Sequence, residues 1–310
     1  MVRRIGSILL LLLSLSVVAF ALVDLSSGSR AEYILGDYAD DESVEKLEKE
    51  LGLDGSFISR YFRFIKNFVT FDWGEDLKGN SIRALVADRF SVTLELSVLS
   101  MTLAILLSLA VSILSVRDGG KFFDILTDLV SITVFSLPSF LLSILLVLSS
   151  PGLPSGGFYP ISYSLGLNLK HMVLPVISTA LMHFALLSRV LKKSLLRERS
   201  KPYARAALAY GEKRRSLPLR VMLRPASTPY IALLSESFGA MMAGSAVIES
   251  VFSLPGLGSL FVSAALSRDV ELSVILMMLF FLMVSFSSII SEILMSKLDP
   301  RTVGGEHGER

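Results

Sequence analysis

Residues Val92–Val116 read VTLELSVLSMTLAILLSLAVSILSV, with Glu95 as the single ionisable side chain. A strand is far shorter than this run, and barrel strands alternate in polarity, so it reads as a helix long enough to cross about 30 Å of hydrocarbon. Five further stretches share its character: Ile5–Val23, Ile125–Leu148, Met172–Val190, Pro229–Val251 and Ser273–Met295. The expectation is an all-α, polytopic membrane protein with six transmembrane helices. The bulk numbers, 310 residues with 52% hydrophobic and 19% charged, lean only slightly that way against a soluble average of about 25% charged. Their distribution in long apolar runs, with a mean hydropathy of +0.62, excludes an ordinary soluble globule and a disordered chain.

The connecting segments set the polarity. Residues 191–228 carry eleven basic residues (Lys192, Lys193, Arg197, Arg199, Lys201, Arg205, Lys213, Arg214, Arg215, Arg220 and Arg224) against the acids Glu198 and Glu212. Segments 149–171 and 252–272 carry one basic residue each, Lys170 and Arg268. The positive-inside rule therefore places 191–228 and both termini in the cytoplasm of a plasma-membrane protein. The net charge of +2 conceals a basic inner loop and an acidic outer segment.

Three regions follow: a first transmembrane helix (1–23), an extracytoplasmic segment (24–91), and a five-helix core (92–310) containing the loop 191–228. The first span reads as a retained anchor. A cleaved signal peptide is the competing reading, since Arg3-Arg4, an apolar run and Ala19-Phe20-Ala21 suit one. In the outer segment, Asp40-Asp41-Glu42-Ser43 opens an expected helix to Leu51, ended by Gly52. A second amphipathic helix, 56–68, gathers Phe57, Tyr61, Phe64, Ile65 and Phe68 on one side. That face either packs on membrane helices, lies at the interface, or offers a rim to a soluble partner.

Catalytic constellations are missing from the sequence. Gly256-Leu257-Gly258-Ser259 lacks the lysine of a phosphate-cradling loop, and His171, His183 and His307 do not pair at metal-ligand spacing. Gly-x-Ser-x-Gly is absent and the chain has no cysteine, which excludes thiol nucleophiles and disulfides. The span serines read as interhelical donors. His183 reads as a packing residue, and Lys192 and Lys193 as headgroup-level cations. No enzyme, metal site or nucleic-acid partner is expected.

The loop carries the most specific signal. Tyr203, Ala206-Ala207, Gly211, Arg220, Leu223-Arg224 and Pro229 closely resemble the "EAA" loop of ABC importer permeases. Val247-Ile248-Glu249-Ser250-Val251-Phe252-Ser253-Leu254-Pro255-Gly256-Leu257-Gly258 and Leu298-Asp299-Pro300-Arg301 are similar to that family's peptide-transporter branch. So are Leu51-Gly52-Leu53-Asp54, Phe71-Asp72-Trp73-Gly74, Arg89 with Thr93-Leu94-Glu95-Leu96, Ser136-Leu137-Pro138-Ser139-Phe140, and His171-Met172-Val173-Leu174-Pro175. The sequence departs from the pattern at Pro202, Leu208, Val221, Pro225 and Ser91, and it lacks the Gly-Asp-Pro after the first span.

The resemblance implies a type I ABC importer permease fold and a non-catalytic subunit forming a peptide pathway. The implied partners are a second permease, two ATPase subunits that bind ATP and Mg, and an extracytoplasmic substrate-binding protein. Tyr203, Ala206, Ala207, Gly211, Arg220 and Arg224 would then couple the chain to the ATPases. Glu236, Gly239, Ala243, Gly244 and Glu249 are the pathway or interface candidates, Glu249 as an interface or gate residue. Nickel or oligosaccharide import is the alternative within the family, and an ion-coupled secondary transporter the alternative outside it.

Overall fold

The computed structural model describes residues 13–21, 35, 40–51, 55–117, 120–267 and 269–298. Through them run α1 (13–21), α2 (Asp41–Leu51), α3 (Phe57–Thr70), α4 (Ile82–Val116), α5 (Lys121–Ser136), α6 (Ser139–Ser149), α7 (Leu165–Arg199) and α8 (Pro202–Ala209). A π-helical turn (Pro218–Met222), α9 (Leu223–Gly244), α10 (Ala246–Val251), α11 (Leu257–Leu266) and α12 (Val270–Leu298) follow. Among the described residues the one β pairing is an isolated bridge between Glu75 and Ser81. The chain is all-α.

Three described helices, Ile82–Val116, Leu165–Arg199 and Val270–Met295, are long and apolar enough to cross a membrane. The expected span Ile125–Leu148 is instead a bent pair, α5 and α6, turned by 114°. Leu137 sits at φ −109°, ψ 134° because Pro138 disfavours the helical conformation in the residue before it. The span expected at Pro229–Val251 starts earlier, at Leu223, and breaks at Ser245 into α9 and α10. Of Ile5–Val23, only residues 13–21 are described, and they are helical. Gly52 and Asp299–Arg301 lie outside the described residues.

Two compact units divide the chain: Met1–Ser91 with Leu260–Leu282, and Val92–Ser259 with Met283–Arg310. In the first, the aromatic face expected of 56–68 docks on α1. Phe20 meets Phe57, Tyr61 and Phe64 at ring-centroid distances of 5.4, 5.7 and 5.4 Å, and Ser16 Oγ lies 2.8 Å from the Tyr61 hydroxyl. The helix ends on Phe71 at φ 58°, which lets the Asp72 N–H reach the Asn67 carbonyl at 3.0 Å. Trp73 then folds back, stacking on Phe68 and donating Nε1–H to the Phe68 carbonyl at 3.0 Å. Asp269 is 5% exposed and holds this unit together, accepting from the Leu77 N–H at 3.0 Å and capping α12 through the Leu272 N–H at 3.1 Å.

The second unit is built around α7, half of whose most apolar window is buried. Phe184, Leu187, Leu191 and Leu195 pack with Met101 and Ala104 of α4, and with Met222, Ala226 and Tyr230 of the π-turn and α9. Serines tie the helices as expected. Ser108 Oγ lies 2.6 Å from the Tyr230 hydroxyl and Ser143 Oγ 2.7 Å from Ser178 Oγ, while Ser112 donates to the Ser188 carbonyl at 3.1 Å. Each such bond contributes about 0.6 kcal/mol between membrane helices. Lys192 is no plain headgroup cation, since it pairs with Asp124 and Asp128 of α5.

The turn between α3 and α4 depends on ionised Asp76. Burial pushes its carboxyl up, but hydrogen bonds from the Asn80 side chain and N–H and from the Lys78 N–H, with the Lys78 charge, outweigh it and hold it below the usual range. Its contribution is therefore complete above the ordinary value of about 3.9 and is lost as pH falls through the lowered one. Hydrogen exchange at the Lys78 and Asn80 amides, corrected for intrinsic rates, is expected to lose protection as pH falls below about 4. Protection that is flat down to pH 2 would exclude this role.

Candidate functional site

Two regions of the second unit concentrate the singled-out residues. The first follows α7. Its last turn presents Glu198, 6% exposed, whose carboxylate accepts from Lys201 Nζ at 2.7 Å and from the Tyr203 hydroxyl at 2.5 Å. Burial and then the Glu198 hydrogen bond and charge push the Tyr203 phenol well above its usual value, so it stays a donor. Arg199 Nη1 donates to the Val116 carbonyl at 3.0 Å, fixing the end of α7 to the end of α4. Pro202 opens α8 at its first position, where a missing N–H costs nothing. The carboxylate that engages Tyr203 thus comes from Glu198, and not from position 202.

Helix α8 buries Ala204 completely and packs Ala207 and Leu208 against the core. Its other side exposes Ala206 and Arg205, with Tyr203 at 39% and Tyr210 at 93% exposure. Ala206 and Ala207, adjacent in sequence, therefore differ in role, Ala206 exposed and Ala207 turned partly to the core. Gly211 ends the helix at φ 94°. The Gly211 N–H donates to the Leu208 carbonyl at 3.1 Å, and the Glu212 N–H to the Ala207 carbonyl at 3.0 Å, a Schellman closure. A Cβ on Gly211 would meet nothing within 4 Å, so backbone conformation, and not space, demands the glycine. The π-turn then leads into α9 and leaves Arg220 and Arg224 exposed, one turn apart.

Along α9 the expected small-residue pairs separate. Gly239 is buried, and a Cβ there would stand 3.0 Å from Val284 Cα and 3.4 Å from Ser287 Cβ of α12. Ser287 Oγ donates to the Ser235 carbonyl beside it. Gly244 opens into free space, and with Glu236, Ala240 and Val247 it forms an exposed stripe. Ala243 is half-buried between the two sides. Glu236 and Gly244 share a face; Gly239 does not belong to it.

The second region surrounds Glu249, which has no exposed surface. Its carboxylate accepts from Thr93 Oγ1 at 2.7 Å, Ser245 Oγ at 2.6 Å and the Ser259 N–H at 2.8 Å. Thr93 Oγ1 in turn accepts the Leu257 N–H at 2.8 Å. A methyl on Gly256 would overlap the carboxylate, and one on Gly258 would overlap the Ala246 backbone. Glu249 therefore organises residues 252–259 around α4. Phe252 continues this order, accepting the Gly157 N–H at 2.9 Å, and Gly156 leaves a 2.8 Å gap for any Cβ against the same carbonyl.

Sequence reading missed these partners. Thr93 stood out as part of a pattern and Ser245 did not stand out at all; the closely spaced glycines 256 and 258 were the available signal of close packing. Asn168 was also missed. Its Nδ2 donates to Glu95 Oε1 at 2.7 Å and to the Tyr159 carbonyl at 2.9 Å, which accounts for the lone acid inside the α4 run. No cluster of three or more potential metal ligands occurs among the described residues.

Long apolar helices joined by the basic loop 191–228 define the class of a multi-pass membrane protein. The chain belongs to the family described as "Binding-protein-dependent transport system inner membrane component", matched over residues 100–304, with that family's N-terminal component matched over 1–82. It is 29% identical over 305 residues to a Brucella suis biovar 1 (strain 1330) permease named for a peptide transport system, covering 96% of this chain and 97% of that one. It is 30% and 28% identical, each over 266 residues, to the oligopeptide transport system permease proteins OppB of Haemophilus influenzae and Escherichia coli K12, covering 84% of this chain and 85% of each relative. The crystal structure of an amino acid ABC transporter with histidines shares the fold, at a TM-score of 0.52 and 18% identity over 69% of this chain and 94% of that one. Six spans are consistent with this family. The protein is a non-catalytic membrane subunit of a binding-protein-dependent ABC importer.

Two contrasts test the geometry. Gly239→Leu is expected to lower the thermal midpoint of the detergent-solubilised protein by overpacking against Val284, costing about 1–3 kcal/mol, while Gly244→Leu leaves it unchanged. Equal midpoints would contradict the assignment of the two faces. Glu249→Ala strands the Ser259 N–H and the Thr93 hydroxyl proton, at about 1–3 kcal/mol for each buried unpaired group, and leaves Ser245 only its long bond to the Met242 carbonyl. A thermal midpoint matching the parent protein would show that Glu249 does not organise the loop.

Proposed function

We propose that this chain is the permease subunit through which an ATP-driven importer moves peptides handed over by an extracytoplasmic binding protein. The observation that carries the coupling part is α8, a short, tightly capped helix with an exposed rim of Tyr203 and Tyr210. The relatives named for peptide transport, matched over most of their length, support the substrate class. A second permease and two ATPase subunits complete the assembly, and the ATPases hold ATP and Mg. The positive-inside bias of 191–228 supports cytoplasmic termini and puts α8 on the ATPase side.

In this reading the division into a first helix (1–23), an outer segment (24–91) and a permease core (92–310) is functional. Closure of the ATPases on ATP pushes α8 and, through the Glu198 clamp, the end of α7. Rigid-body rocking of the helices then opens the pathway alternately to either side. Arg220 and Arg224 extend the contact beside α8. The exposed α9 stripe lines the pathway or the permease–permease seam, with Glu236 offering a carboxylate to a peptide amine, since an ionisable group at this depth requires a wet or protein surround. Glu249 keeps the outer loop 252–259 rigid as the helices move.

Gly211→Val tests the coupling assignment. A β-branched residue at φ 94° costs about 1–2 kcal/mol or more and unwinds the end of α8. In proteoliposomes with the ATPases, second permease and binding protein, the variant is expected to insert normally yet lose most ATP-dependent uptake of labelled oligopeptide. Unchanged hydrolysis and uptake would remove α8 as the coupling element. Uptake of nickel or oligosaccharide in place of peptide by the parent complex would overturn the substrate class.

A further inference from the structure

Helix α3 has a wider apolar surface than its packing uses. At 100° per residue, Phe64, Phe57, Phe68, Tyr61, Ile65, Ile58, Val69 and Phe62 occupy a continuous arc of about 160°. The half centred on Phe57, Tyr61, Phe64 and Phe68 is the half that meets Phe20 and Trp73. The other half is bare: Ile58, Phe62 and Val69 are 66%, 66% and 68% exposed. Opposite lies a polar arc bearing Arg60, Arg63 and Lys66, and no acid occurs within the helix. Phe71, 57% exposed, sits at its end.

We propose that α3 lies in the plane of the membrane–water interface on the side of residues 24–91, as a lipid-anchored brace. Ile58, Phe62 and Val69 enter the boundary between headgroups and acyl chains, and exposed Lys66, next round the helix from Phe62, meets lipid phosphate. The occupant is the bilayer and not a soluble protein for two reasons. The segregation of a broad aromatic-aliphatic arc from a purely cationic arc is the pattern of an interfacial helix. The bare face also belongs to the same docked pair as α1, whose Leu13, Val17 and Val18 are themselves exposed and apolar, so one lipid surface covers both. The Phe20 and Ser16 contacts hold α3 to a helix that reads as a membrane anchor, which keeps the bare face at the bilayer.

The absence of cysteine allows a direct test. Single substitutions Phe62→Cys, Val69→Cys and Ser59→Cys, spin-labelled in the full chain and reconstituted in phosphatidylglycerol-containing vesicles, report depth from oxygen against nickel-chelate accessibility. Labels at 62 and 69 are expected about 5–10 Å below the phosphates, with the label at 59 in water. Phe62→Trp gives an independent reading, and its added emission is expected to be quenched by brominated acyl chains. Water-exposed labels at 62 and 69 would overturn the proposal. So would labels shielded from both reagents, or shielding that arises only when the binding protein is added. Absence of quenching at position 62 would overturn it equally.

Discussion

Hydrocarbon offers no hydrogen bonds, so each polar group carried into a bilayer must find its partner inside the protein. Much of this structure answers that demand. Long helices satisfy their own backbones, and the groups left over at breaks and on side chains explain most of the specific contacts. Ser108, Ser112 and Ser143 bridge helices. Glu95, an acid in an otherwise apolar run, is matched to Asn168. Glu249, fully buried beside residues 252–259, is enclosed by hydroxyls and a backbone N–H with no cation among its partners in the described residues.

The same demand shapes the helix ends. Where a helix must stop, its last carbonyls need closing, and three helices do so in one way. Helices α3, α8 and α10 each end with a residue at positive φ, at Phe71, Gly211 and Ser253, with the next N–H returning to the final turn. At α8 this leaves a short, rigid element whose outer rim is aromatic and whose inner side is seated on the core. The coupling role proposed for α8 requires that combination, since a frayed helix would absorb a push and a fully buried one could not receive it. The hydrogen bonds of Tyr203 and Lys201 to Glu198 tie the start of α8 to the end of α7, the central helix of its unit.

The departures of this chain from its family's loop pattern make physical sense where contacts exist. Pro202 starts α8 at a position that tolerates proline, and Glu198 supplies the carboxylate on which Tyr203 rests. Leu208 and Val221 turn toward the core, where an apolar side chain is at home. Nothing in the structure explains Pro225.

Apolar run length and the asymmetry of basic residues made the all-α membrane class readable from composition and order alone, because hydrocarbon thickness and membrane polarity act on local sequence. The aromatic face of α3 was legible from helical spacing, and Gly211 from its place in the loop pattern. Phe71 and Ser253 make the same closure without glycine, and no local signal marks them. Pro138 marks a break locally, but the size of the turn, 114°, together with the split at Ser245 and the partition of Gly239 from Gly244, was decided by packing. So was the enclosure of Glu249 by Thr93, a residue far away in the chain. Such pairings depend on which helices become neighbours, and periodicity within one helix carries no information about what stands opposite it.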